Sequence, residues 1–77
     1  MSTHEFDAGT LGCGDGLAGA FRDRIGQVSV GEHLRVRTAD PSAKEDLPSL
    51  ARLMGHVVHT VEAHPDGSLT ITVERRR

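Results

Sequence analysis

The chain has 77 residues, of which 36% are hydrophobic, with nine glycines and a formal net charge of −2. A domain near this size buries only roughly 60% of the surface its unfolded chain exposes, so residues 1–77 are read as a single domain with one thin core and no deep substrate cavity. Two Phe, no Trp and no Tyr give no platform for stacking bases, and nine basic against eleven acidic side chains give no basic face for phosphates, so direct nucleic-acid binding is not expected.

At the start of the chain Glu5 and Asp7 precede the first arginine, Arg22, which is the wrong order for an export signal. The longest apolar-plus-glycine run, Leu17 to Phe21, falls far short of the ~20 residues a membrane helix needs. A soluble, cytoplasmic protein is expected, and the single cysteine, Cys13, suits a reducing compartment.

Thr3 to Ala8 contributes only Phe6 and Ala8 to an apolar face and reads as a short, weakly specified strand. Leu17, Phe21, Ile25 and Val28 then recur at spacings of four, four and three, one stripe of an amphipathic helix. His33 to Thr38 alternates, with Leu34 and Val36 on one face and His33, Arg35 and Arg37 on the other, as in a half-buried strand. Asp40-Pro41-Ser42 signals a helix start, and Leu47, Leu50, Ala51, Leu53 and Met54 form the apolar face before Gly55 ends it. Pro48 is expected near the first turn of that helix, because a proline deeper in it costs about 3 kcal/mol, so the start is left open between Ser42 and Asp46.

His56 to Ala63 reads as a third strand, His64-Pro65-Asp66-Gly67 as a turn, and Leu69 to Glu74 as a fourth strand with β-branched alternation. Strands three and four should form a hairpin, and Arg75, Arg76 and Arg77 read as a frayed, solvated terminus. The order β-α-β-α-β-β predicts an α+β fold, a two-layer α/β sandwich with a four-stranded mixed sheet and both helices on one face. Leu34, Val36, Leu69, Ile71 and Val73 should point toward the helices.

Cys13 lies in Leu11-Gly12-Cys13-Gly14-Asp15-Gly16-Leu17, between the first strand and the first helix. A helix N-terminus offers unpaired N–H groups and partial positive charge, which stabilise a thiolate and, equally, an anionic persulfide. Asp15 opposes this with a like charge, while the flanking glycines favour exposure and a net lowering of the thiol pKa. A buried, inert cysteine is the competing reading.

Phe6-Asp7-Ala8, Leu11-Gly12-Cys13, Gly31-Glu32, Ala39-Asp40-Pro41, Asp46-Leu47-Pro48 and Met54-Gly55-His56 resemble, in order and spacing, the TusA/SirA-like sulfur-carrier family. The resemblance implies a β-α-β-α-β-β sandwich whose loop cysteine, here Cys13, accepts sulfur as a persulfide and hands it on between donor and acceptor proteins. It departs from the family's Cys-Pro-x-Pro, which here is Cys13-Gly14-Asp15-Gly16. A glycine in place of a proline preset for the first helical position frees the backbone for angles that proline forbids. Ala51 stands where many members of the family carry a second cysteine, which excludes an intramolecular relay. The loop residues carried as site candidates beside Cys13 are Gly12, Gly14, Asp15 and Gly16.

Two other patterns compete for attention. Gly14-Asp15-Gly16-Leu17-Ala18-Gly19 fits G-x-G-x-x-G, but the strand before it is too polar for the mid-sheet strand of a dinucleotide fold, and no cofactor is expected. The histidines His4, His33, His56, His59 and His64 show no helical i, i+4 pair and no second cysteine, and His56 and His59 should face opposite sides of a strand, so no metal site is expected. Glu45 and Asp46 diverge on a helix and suit its positive end rather than general acid–base work. Two functions follow: a sulfurtransferase-like persulfide carrier on Cys13, or a non-catalytic binding or regulatory module on the same fold.

Overall fold

The computed structural model describes residues 3–9 and 16–77. Its elements are β1 (Thr3–Gly9), α1 (Leu17–Ile25), β2 (His33–Thr38), α2 (Ala43–Leu53), β3 (Val57–Ala63) and β4 (Leu69–Glu74). They build one four-stranded sheet in the order β1-β2-β4-β3, with β1 parallel to β2 and the other two pairs antiparallel. The α+β architecture expected from periodicity is the observed one.

Alternation explains the two central strands. Leu34 pairs with Val73 and Val36 with Ile71, and all four are buried in the core cluster together with Leu17, Phe21, Ile25 and Leu47. Leu69 is buried too. Thr70, expected on the solvated face, is also buried, and His64 covers it: His64 Nε2 and Thr70 Oγ1 share a hydrogen bond at 2.6 Å. β1 is an edge strand, exposed at most positions, the opposite of a dinucleotide-binding first strand. Its Phe6 packs against the core and lies under the Arg24 guanidinium of α1 at 4.8 Å, a cation–π contact that shields the open side of the ring.

Helix α2 is started by Asp40. Its Oδ1 accepts the Ser42 backbone N–H at 3.1 Å and its Oδ2 the Ser42 hydroxyl at 2.7 Å, while Pro41 supplies a preset φ between them. Glu45 and Asp46 occupy the first turn, where negative charge is favoured. Gly55, at φ 89°, ends the helix: its N–H reaches the Arg52 carbonyl at 3.0 Å, and the His56 N–H reaches that of Ala51 at 2.9 Å.

Three expectations need correction. Pro48 is the sixth residue of α2 rather than a first-turn residue, and it is buried. Leu53 is 84% exposed, because the buried stripe runs through Ala43, Leu47 and Ala51 and Leu53 falls off its edge. Arg75 is not frayed. Its Nη1 donates to the carbonyls of Val28 and Gly26 at 2.6 and 3.1 Å, its N–H donates to the Glu32 carbonyl, and its own carbonyl accepts the Gly31 N–H at 2.7 Å. A cation is thereby placed on the carbonyls that follow α1.

Removing the largest fully buried side chain, Phe21→Ala, is expected to cost about 3–5 kcal/mol in urea unfolding. Leu53→Ala should change stability by less than about 0.5 kcal/mol, in keeping with its exposure.

Candidate functional site

The first candidate site begins where β1 ends. Gly9, at φ 57°, donates its N–H to Asp7 Oδ1 at 2.9 Å, and its carbonyl accepts the Ala39 N–H at 2.8 Å, tying the end of β1 to the segment after β2. The chain is described again from Gly16, the residue that opens α1. Cys13, Gly12, Gly14 and Asp15 lie outside the described residues.

Gly16 carries the one direct structural statement about the motif. It sits at φ 101°, ψ 9°, and accepts the Ala20 N–H at 3.0 Å, so it is the N-cap and Leu17 the first helical residue. The φ of Gly16 is one that proline, locked near −65°, cannot adopt. The glycine is thus matched to a left-handed turn into the helix. Gly16 offers no side-chain cap, and the first turn of this nine-residue helix contains no acidic residue.

A second grouping lies on the sheet face away from the helices, and sequence reading missed it. His33 pairs directly with Glu74 across β2 and β4. On β3 the register shifts between Val58 and Thr60, so that His59 is the extra residue of a bulge and lies against the same carboxylate. His59 Nε2 donates to Glu74 Oε1 at 2.8 Å, and His33 Nε2 is 3.8 Å from that oxygen. The two imidazoles meet edge to face, with centroids 4.9 Å apart. Arg76 Nη1 takes the other oxygen, Oε2, at 3.2 Å. The His59 hydrogen bond, followed by Arg76, holds the Glu74 carboxyl below its ordinary range. The only sequence signal for this grouping is the pairing of β2 with β4, and the bulge that brings in His59 leaves no mark in the local pattern.

The remaining histidines act elsewhere. His4 Nε2 contacts Glu32 Oε1 at 3.1 Å, and Asp66, in the β3–β4 turn, is held below its usual pKa by two hydrogen bonds from Ser68 and by Arg37. His56 precedes β3, is buried, and accepts the Arg76 backbone N–H on Nδ1 at 3.2 Å. Burial first, then the charges of Arg75 and Arg77, push its pKa down.

The described elements form a small β-α-β-α-β-β sandwich, and the sequence has its one cysteine between the first strand and the first helix. The chain belongs to the TusA sulfurtransferase family: the family described as Sulfurtransferase TusA matches it over residues 21–75. That span begins after the cysteine loop and covers β2, α2, β3 and β4 entire. Among the described residues no helix is long and apolar enough to cross a membrane.

Two measurements test these geometries. No atom lies within 4 Å of a Cβ built on Gly16, so Gly16→Ala should lose only the backbone term, about 1–2 kcal/mol, and Gly16→Pro should lose more, read from urea midpoints. For His56 the folded pKa is below the unfolded value of ~6.5, so the unfolded chain binds the extra proton first. Its contribution to stability is full above that value and is lost as pH falls through ~6.5 toward the depressed folded pKa. The urea midpoint of wild type should therefore drop over that window more than that of His56→Gln.

Proposed function

We propose that the protein is a sulfur carrier that holds sulfur as a persulfide on Cys13 and passes it to a partner protein. The observation that carries this reading is membership of the TusA sulfurtransferase family in a chain with one cysteine, set just before α1. The uncapped, acid-free first turn of α1 supports it, since a thiolate or persulfide anion next to that end gains from free N–H groups. Transfer proceeds by attack of the Cys13 thiolate on the terminal sulfur of a donor's persulfide: a new S–S bond forms, the donor's S–S bond breaks, and the donor leaves as a thiolate. An acceptor thiolate then repeats the exchange on Cys13, with no net oxidation or reduction. With Ala51 in α2 and no second cysteine in the sequence, each hand-over is intermolecular. The left-handed turn at Gly16 points to donors and acceptors suited to this glycine loop rather than to a proline-framed one. The same fold without this chemistry, acting as a binding or regulatory module, is the second reading.

Incubation with a cysteine desulfurase and cysteine, followed by intact mass, should show a gain of one sulfur atom that reductant reverses and Cys13→Ser abolishes. The alkylation rate of wild type against pH should have its midpoint below that of the unfolded chain. A folded wild type that takes sulfur from no donor, with a midpoint at or above the unfolded control, establishes the binding-module reading instead.

A further inference from the structure

We propose that His33, His59 and Glu74 form a binding site for a divalent transition-metal ion of zinc type on the open face of the sheet. One donor atom from each residue lies within 4.8 Å of the others, and both imidazoles approach Glu74 Oε1 through Nε2. Donor atoms around a tetrahedral zinc ion bound at 2.0–2.2 Å stand about 3.3 Å apart. The observed separations of 2.8 Å for His59 to Glu74 and 3.8 Å for His33 to Glu74 fall on either side of that value, within reach of side-chain rotation. Two imidazoles and one carboxylate select borderline ions such as zinc over calcium or magnesium, which take oxygen ligands.

The backbone is committed to this arrangement. His33 and Glu74 are directly opposed on the two central strands, and the β3 bulge adds His59 from the edge. The side chains of His33 and Glu74 are only 19% and 16% exposed, while that of His59 is 41% exposed, so the donors converge with their open side toward solvent. Arg76 engages Oε2 and leaves Oε1 to the imidazoles, acting as an outer partner that orients the ligating carboxylate. Its positive charge weakens cation binding without occupying the donor atom. When the ion binds Nε2 of neutral His59, the proton that Nε2 now donates to Glu74 Oε1 passes through solvent to Nδ1, so the imidazole ligates as its Nδ1–H tautomer and no proton is lost. Three protein donors leave a fourth position for water or for a ligand from a partner, the pattern of an open rather than a closed structural site.

The test is titration of the full-length wild-type protein with Zn²⁺ alone and with Co²⁺ alone, followed by calorimetry and visible absorption. Expected are one saturable equivalent of Zn²⁺ and a Co²⁺ d–d spectrum without the near-ultraviolet charge-transfer band of a thiolate ligand, which separates this site from Cys13. His33→Ala and His59→Ala should each weaken the affinity by at least about tenfold, and His64→Ala, which removes an imidazole outside the cluster, should not. His59 is exposed at the edge strand, so a circular-dichroism spectrum and urea midpoint near wild type will show that His59→Ala is folded. Absence of saturable binding, equal affinity in the His59→Ala and His64→Ala variants, or a thiolate band in the Co²⁺ spectrum overturns the proposal.

Discussion

The pairing of β2 with β4 sets both faces of the sheet at once. Leu34 against Val73 and Val36 against Ile71 face the helices, so His33 against Glu74 and Arg35 against Thr72 must face away. A slip of one residue would turn every one of these side chains over, exposing the core and burying the charges. The register is held because Phe21, Leu17, Ile25 and Leu47 can be buried only against that apolar face. The histidine–glutamate grouping on the other side is a by-product of the same constraint, with the β3 bulge as the single added feature.

What could be read in advance follows from how local each signal is. The alternation of β2 and β4 and the spacing of Leu17, Phe21 and Ile25 are short-range patterns that burial then enforces. Leu53 was misread because an apolar residue at the margin of a helical stripe is separated from the core by only a fraction of a turn, and Leu47 and Ala51 define the true centre. Arg75 looked like part of a solvated tail, since nothing in three successive arginines announces that the first one meets the carbonyls of Gly26 and Val28, almost fifty positions earlier. His59 was assigned the correct kind of element, but its partners come from two other strands. The cysteine site stands apart from all of these: it was legible through family resemblance, and the matched span of residues 21–75 supports the family while leaving Cys13 to chemical test.

Gly16 sets how the chain enters α1. At Gly16 the left-handed φ lets the chain enter α1 with its carbonyl already aligned to accept the Ala20 N–H. Leu17 and Phe21, buried in the core cluster, then fix α1 against the sheet.

Strand order also has a temporal side. β3 hydrogen-bonds only to β4, and β4 is the last of the four to be synthesised although it lies between β2 and β3. While the nascent chain is still short of Leu69, β3 has no partner in the sheet and β2 has only β1, paired in parallel. The sheet is therefore complete only once β4 inserts between its two neighbours, the strand that comes last in sequence joining the two that precede it.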